Sequence, residues 1–243
     1  MIDGELRPRQ TVILAAGNGA RLNGSGHHHP KPLLLVAGRP LIQHALRQAE
    51  AVGCEEAVVV IGCGADRMRD ELGRLATPLR LRLVFNPWFD LPNGVSLLAA
   101  EPYAAQHFFL QMADHVFARP VLELLDGGAP DGGKGLLLVD RSPLDLDEAD
   151  ATKVRIADNR ITAIGKEVQP WDGFDAGCFR MDHRIFGALR DAGAAGAPTV
   201  SAGMARLAAA GELAPVSLPG VAWVDVDRPQ DLERANALLG RNG

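Results

Sequence analysis

The sequence predicts an α/β fold in which a mostly parallel central sheet is flanked by helices. Three observations carry this. The run Val12-Ile13-Leu14-Ala15-Ala16 is continuously apolar and stops at Gly17, the pattern of a parallel-sheet strand buried on both faces. From residue 11 to residue 85 apolar runs alternate with segments of helical spacing, strand, helix, strand, helix, strand. Right-handed crossovers turn that order into a parallel sheet. The chain has 243 residues, 47% hydrophobic and 23% charged, so residues 1–243 read as a single globular domain.

Residues 1–10 read as a frayed lead-in and Thr11–Ala15 as the first strand. A loop with Gly17, Gly19, Gly24 and Gly26 follows, carries Arg21 and ends at Lys31. Pro40 suits the first turn of a helix. Leu41, Ile42, Ala45, Leu46 and Ala49 recur at helical spacing to about Val52, and Gly53 ends the helix. Glu56–Ile61 reads as a second buried strand, Asp66–Leu75 as a polar helix and Leu79–Phe85 as a third strand. After the turn-rich loop Asn86–Asn93 come a helix at Gly94–Ala100 and a fourth strand at His107–Met112. That strand ends at Ala113-Asp114-His115, and Val116–Leu125 is read as a helix. Gly135–Val139 is another strand. Residues 140–182 are rich in carboxylates, with short β-type runs at Thr152–Ile156, Ile161–Ile164 and Ala176–Met181. They read as a β-rich insertion covering the acceptor side of a site. Helices at Asp182–Ala192 and Thr199–Ala210, strands at Leu213–Leu218 and Ala222–Val226, and a last helix with Pro229 in its first turn complete the chain.

Composition narrows the function. The net charge is −5 and no basic stretch stands out, which argues against a nucleic-acid partner. Apolar runs such as Leu33–Ala37 are too short to span a bilayer, and the N-terminal MIDGELRPRQ lacks the apolar core of a secretory signal. Cys54, Cys63 and Cys178 are an odd number without metal-type spacing. They read as small buried hydrophobes in a reduced, cytoplasmic setting. His27, His28 and His29 read as exposed loop, with a metal role disfavoured because no carboxylate flanks them.

The stretch Thr11–Leu34 points to chemistry. Glycine lets a backbone reach positive φ and lets a ligand approach closely. Small residues at a strand end, with Arg21 and Lys31 in reach, suit a polyphosphate held by backbone N–H groups. No Gly-x-Gly-x-x-Gly leads straight into a helix and no P-loop Gly-Lys-Ser/Thr is present. Lys31 lies between Pro30 and Pro32 after the loop and is expected to be solvent-accessible. In open α/β sheets ligands bind at the carboxyl ends of strands, where the Gly17 loop, Asp114 and the pair Asp225/Asp227 fall. A divalent cation held by Asp114 and one of that pair would neutralise converging phosphates. Asp225 and Asp227 face the same way on an extended segment. Asp227 is favoured, Asp225 is the alternative, and an N-cap role competes for Asp227.

The order Ala-Ala-Gly-x-Gly-x-Arg-Leu, Pro-Lys-Pro-Leu, Gly-Arg-Pro-Leu-Ile at the N-terminal end resembles the signature of nucleotidyltransferases of the GT-A-like fold. Further motifs are NGVSLLAA from Asn93, MADH from Met112, ATKV from Ala151, IGKE from Ile164 and WVDVDRPQDL from Trp223. They look like the series of inositol-1-phosphate cytidylyltransferases and together span nearly the whole chain. Arg228 stands where that family often has Thr. The resemblance implies a Rossmann-like, mostly parallel sheet with a small β insertion. It also implies a Mg²⁺-dependent reaction of CTP with a phosphorylated polyol such as inositol 1-phosphate, giving a CDP-alcohol and pyrophosphate. By position, Ala15, Ala16, Gly17 and Gly19 bind the nucleotide, and Arg21 and Lys31 act on its phosphates. Asn93, Gly94 and Ser96 border the nucleoside. Asp114 and Asp227 hold Mg²⁺. Lys153 and Lys166 face the acceptor phosphate, with Asp175 on the same side. A phosphate dianion is already a nucleophile, so positioning and charge neutralisation are expected to carry the rate. Near alternatives replace CTP by UTP, or the acceptor by phosphocholine, an aminoalkyl phosphonate or another sugar phosphate. A cationic acceptor would want the cage that Trp171, Asp172, Phe174 and Asp175 offer. A GT-A glycosyltransferase is the alternative of a different class. It would normally carry Asp-x-Asp where this chain has Ala-Asp-His, and would leave Arg21 and Lys31 without a role.

Overall fold

A computed structural model of the chain describes residues 7–19, Leu22, 30–126, 134–143 and 146–240. In chain order the strands and helices begin with β1 (Gln10–Ala15), the hairpin β2 (Leu35–Val36) and β3 (Arg39–Pro40), α1 (Leu41–Ala51), β4 (Glu56–Ile61) and α2 (Ala65–Arg74). Then come β5 (Arg80–Phe85), α3 (Asn93–Ala100), β6 (His107–Met112), β7 (His115–Phe117), α4 (Leu122–Asp126) and β8 (Gly135–Asp140). The rest is β9 (Lys153–Ala157), β10 (Arg160–Gly165), β11 (Gly173–Asp182), α5 (Arg184–Ala192), α6 (Val200–Ala209), β12 (Leu213–Ser217), β13 (Trp223–Asp225) and α7 (Pro229–Gly240).

The central sheet runs β10-β9-β11-β6-β1-β4-β5, with β8 paired to β11 and β12 paired to β8. β1 lies parallel between β4 and β6, and β5 continues the parallel half beyond β4. β1 is apolar without a break because both of its faces are covered. Ile13 and Ala15 join Ile42, Leu46, Met68 and Leu72 of α1 and α2 in one core. Val12 and Leu14 join Leu97, Ile185, Leu189 and Met204 of α3, α5 and α6 in the other. Successive side chains of a strand alternate faces, and each large apolar side chain buried in this way contributes about 1.5–3 kcal/mol. A third, smaller cluster of Val36, Leu41, Val116, Val226 and Ala235 ties the β2–β3 hairpin, β7 and α7 together. The hairpin turns through Ala37 and Gly38, both at positive φ (49° and 75°), the geometry of a two-residue type I′ turn.

One expected element is different. Val116–Leu125 is not a continuous helix: His115–Phe117 is a strand, and helix α4 starts only at Leu122. Pro120 has no N–H and disfavours helical backbone at Arg119. The residues before it pair instead with β13, antiparallel, with Val116 opposite Val224. Within residues 140–182, β11 belongs to the central sheet, where it pairs with β6, β8 and β9. Among the described residues no helix is long and apolar enough to cross a membrane. Cys54 and Cys178 are buried thiols, as expected.

Candidate active site

The parallel strands bring their carboxyl ends to one edge. The Ala16 carbonyl accepts from Cys63 N at 3.0 Å and the Leu14 carbonyl from Ala113 N at 3.2 Å. The chain segments leaving β1, β4 and β6 are thereby held level. Ala15 and Ala16 are buried at this edge, whereas Gly17 is exposed, with nothing within 4 Å of where a Cβ would stand. Gly19 has φ 60° and its carbonyl accepts from Leu22 N at 3.0 Å. Arg21 and His27–His29 lie outside the described residues.

Asp114 leaves β6 toward the same edge, and two distant segments converge on it. Lys31 Nζ stands 2.7 Å from Asp114 Oδ2 and 2.5 Å from Asp227 Oδ1. The β7–β13 ladder sets His115 directly opposite Asp225, and Val226 N donates to the Asp114 carbonyl at 3.1 Å. His115 Nδ1 is 3.0 Å from Asp114 Oδ1 and 3.9 Å from Asp225 Oδ1. The expectation that Lys31 is solvent-accessible is corrected: it is only 8% exposed, because two carboxylates draw its ammonium inward. The N-cap alternative for Asp227 also gives way. Asp231 Oδ2 accepts from Asp227 N and Arg228 N, at 3.2 and 2.8 Å, while the Asp227 carboxylate turns to Lys31.

The charges of this centre are mutually dependent. Burial disfavours the Lys31 ammonium, but Asp114, Asp225 and Asp227 outweigh it and hold the group well above its ordinary range. Burial would raise Asp114, yet Lys31 and His115 hold its carboxyl well below the usual carboxylate range. Burial, then Asp114 and Asp227, push Asp225 up to about 7 against the opposing pull of His115 and Lys31. Burial also pushes Asp175 up to about 6. For His115 burial acts downward, but Asp225 and Asp114 raise it to about 9. A buried carboxylate oxygen without a partner is costly. Asp225 Oδ1 is such an atom among the described residues, and ligand atoms of Asp114, His115 and Asp225 lie within 4.8 Å of one another. An orphaned carboxylate oxygen beside two further carboxylates fits a hard divalent cation, which takes oxygen ligands. His115, held protonated, is suited to orienting these carboxylates.

The His115 pKa gives a pH prediction whose sign is fixed. A folded-state pKa above the unfolded value contributes stability that is fully present below about 6.5 and is lost as the pH rises through about 9. Urea unfolding with a chelator present is expected to show a loss of about 3 kcal/mol between those limits. His115→Phe keeps a flat ring on Trp223 and should flatten the upper part of the slope, toward pH 9, while Asp225 at about 7 still titrates below it. An equally steep slope in that variant would remove His115 as its source.

A cavity of about 320 Å³ opens beside this centre. Met112, Asp175 and Phe179 line it, together with Asp147, Asp150, Thr152 and Lys166 on one side and Asp225, Asp227 and Arg228 on the other. The His115 ring stacks on Trp223 with centroids 5.4 Å apart, and Trp223 Nε1 donates to the buried Asp140 Oδ2 at 2.8 Å. Gly177 supports His115 from β11. Its φ is 71°, the β11–β8 register shifts between Asp175 and Phe179, and a Cβ there would stand 2.6 Å from His115 Cδ2. Gly177→Ala is therefore expected to cost about 2–4 kcal/mol in urea unfolding, combining left-handed backbone strain with overpacking. A loss near zero would mean that the His115 ring has another place to go.

The other expected site residues divide. Asn93, Lys166 and Asp175 border the cavity. Asn93 Oδ1 accepts from Val200 N at 2.9 Å, and Lys166 Nζ is ion-paired with Asp150 Oδ1. Lys153 is buried and donates to the Lys166 carbonyl at 2.8 Å. Ser96 is buried, its Oγ accepting from Asn86 Nδ2 at 3.0 Å. Gly94 packs so closely that a Cβ would stand 2.4 Å from the Pro198 carbonyl oxygen. Gly94 and Ser96 thus hold α3 from behind. Sequence reasoning missed His115, Trp223, Asp147 and Asp150 as site residues. His115 had one signal, its place beside Asp114, and Trp223 one, its place at the head of WVDVDRPQDL; nothing in the sequence singles out Asp147 or Asp150.

Residues 11–141 match the MobA-like NTP transferase domain. The chain belongs to that family. The MobA-like chain is also 35% identical over 94% of its length to a "Bifunctional IPC transferase and DIPP synthase" of Rubrobacter xylanophilus. It is 33% identical, again over 94%, to a protein of the same description from Aquifex aeolicus. It spans about half of each relative, 51% of their length. Its fold is shared with the inositol-1-phosphate CTP transferase from T. maritima, at a TM-score of 0.83 and 24% identity, covering 97% of this chain and 96% of that one. The expected nucleotidyltransferase fold, with its mostly parallel sheet flanked by helices, is borne out.

Proposed function

We propose that this MobA-like domain transfers a CMP group from CTP to the phosphate of a phosphorylated polyol such as inositol 1-phosphate. The observation that carries the reading is the centre Lys31–Asp114–Asp227 at the carboxyl ends of the strands, beside a cavity bordered by Lys166. The names of the relatives, IPC transferase among them, support the same substrates. An oxygen of the acceptor phosphate attacks the α-phosphorus of CTP. A new P–O–P link forms as the bond to pyrophosphate breaks, and the electron pair leaves on pyrophosphate. No proton has to be removed from the nucleophile, so the protein's task is alignment and charge neutralisation.

The strand-end backbone at Ala15, Ala16, Gly17 and Gly19 receives the nucleotide, with Arg21 and Lys31 supplying positive charge to its phosphates. Asp114 and Asp227, with Asp225 as the alternative, would hold Mg²⁺. Bound there, the ion would neutralise phosphate oxygens and orient pyrophosphate to leave. His115, stacked on Trp223, fixes the Asp114 carboxylate. Lys166 meets the acceptor phosphate while Lys153 steadies it from behind through its backbone carbonyl. Residues 140–182 supply much of the acceptor wall. Thr152 and Asp175 offer hydrogen-bonding groups for hydroxyls. Of the four residues that could cage a cationic acceptor only Asp175 borders the cavity, and Phe174 is in the core. This favours a polyol over choline, because a site built to bind hydroxyls rejects analogues that leave its polar groups unpaired.

The test is to incubate the protein with each nucleoside triphosphate, Mg²⁺ and a panel of phosphoalcohols, and to assay pyrophosphate. CTP with inositol 1-phosphate is expected to react fastest. Faster reaction of phosphocholine would overturn the polyol assignment, and no pyrophosphate from any pair would overturn the transfer itself.

A further inference from the structure

We infer that Arg228 and Lys166 form a two-cation clamp for the phosphate of the acceptor, and that the Asp150 carboxylate takes the place of that phosphate when no ligand is bound. The inference rests on the proposed transfer for the identity of the acceptor and on the geometry of the cavity mouth for the clamp. Arg228 Nη1 is 3.0 Å from Asp147 Oδ2, and Nη2 is 3.8 Å from Asp150 Oδ2. Lys166 Nζ meets the other oxygen of the same carboxylate, Asp150 Oδ1. A planar guanidinium and an ammonium thus converge from two walls on the two oxygens of one anion. A phosphate monoester offers the same pair of acceptor oxygens and more charge. A guanidinium fork matches phosphate geometry, with lysine as a point charge beside it.

Three features make this an exchangeable arrangement. All four side chains line the cavity next to Asp227, so a phosphate held there lies beside the reacting centre. The Arg228–Asp147 pair is about half-exposed, with side chains 43% and 50% accessible, and ion pairs of that kind are weak. The carboxylates belong to a short turn, closed by Ala149 N on Asp147 Oδ1 at 3.1 Å and Ala151 N on the Asp147 carbonyl at 3.0 Å. Arg228 is anchored by its own N–H on Asp231. Exchange therefore displaces a turn and leaves the sheet and α7 in place. A Thr at position 228, common in the cytidylyltransferases this sequence resembles, would be too short to provide the fork.

The experiment is calorimetric titration of inositol 1-phosphate into the full chain without CTP, with free inositol as control, beside R228A, R228K and D147N. Loss of a charge-assisted pair is expected to weaken binding in R228A by about 10- to 100-fold. R228K should recover only part of this, and CTP affinity should stay within about twofold because the proposed triphosphate contacts are Gly17, Gly19, Arg21 and Lys31. D147N, which removes a competitor for Arg228 but keeps the turn's amide-oxygen acceptor, should bind as tightly or more tightly. If Arg228 merely staples the turn, R228A and D147N weaken binding alike, and that result overturns the clamp. So does unchanged affinity in R228A, or no measurable binding to the unaltered chain. Pyrophosphate release is assayed in parallel. Binding by the clamp without turnover would sink the transfer reading alone, and turnover with unaltered affinity in R228A would sink the clamp alone.

Discussion

Lys31→Ala is expected to lower turnover by about 10²-fold or more, the usual consequence of deleting a preorganised charge that meets charge developing in a transition state. The same variant should also lose stability, by about 2–3 kcal/mol, because Asp114 and Asp227 are left facing each other without their shared cation. The figure sits below that for a fully buried pair because both carboxylates are about one-third exposed, 32% and 33%. Lys31→Met, which fills the space without the charge, should recover part of the packing and none of the turnover. Steady-state kinetics and thermal unfolding on the same preparations decide the matter. Near-normal turnover would remove Lys31 from the chemistry. Normal stability would mean that the bridge it makes contributes nothing to the fold.

Asp114→Asn should be the more damaging change for activity, with turnover reduced by about 10³-fold, since loss of a cation's principal oxygen ligand removes several kcal/mol of charge stabilisation. The substitution is nearly isosteric. It keeps one oxygen for His115 Nδ1 or Lys31 Nζ, so the fold should survive and CTP should still bind. Titrating Mg²⁺ against activity in Asp225→Asn and Asp227→Asn separates the two candidates for the second ligand. The true ligand's variant will need far more metal for half-maximal rate. If Asp227→Asn leaves the metal requirement unchanged while Asp225→Asn raises it, the orphaned Oδ1 of Asp225 marks the ligand and Lys31 is the partner of Asp227. Retained activity in Asp114→Asn would remove the metal from this centre altogether.

What was legible in the sequence followed from local physics. β1 and β4 appear as apolar runs because burial on both faces leaves few polar positions to interrupt them. The start of α1 after Pro40 and its end before Gly53 follow from backbone chemistry in the same way. Asp114 and the Asp225/Asp227 pair were locatable because strand ends in parallel sheets are where ligands gather. What was not legible depended on partners far along the chain. Lys31 reads as an exposed loop lysine until Asp114 and Asp227 are known to surround it. Residues 116–121 read as helix until β13 arrives beside them. Lys153 and Lys166 look equivalent in sequence, yet the pairing of β9 with β10 brings the ammonium of one under the backbone of the other. Arg228 stood out only as a departure from a motif, and its meaning came from Asp147 and Asp150 across the cavity.

The two-stranded ladder of β7 and β13 has a consequence for the order of events during synthesis. β1, β4, β5 and β6 all lie within residues 10–112, so they are synthesised long before β13. The centre is different: His115 waits for Asp225 and Trp223, and Lys31 for Asp227, which all come from one late stretch of chain. Without that stretch Lys31 lacks Asp227 and His115 lacks its ladder partner, so the centre is incomplete. The last strand and the helix after it therefore act as a completion signal. On the proposed role of this centre, a chain stopped short of residue 227 is expected to be inert.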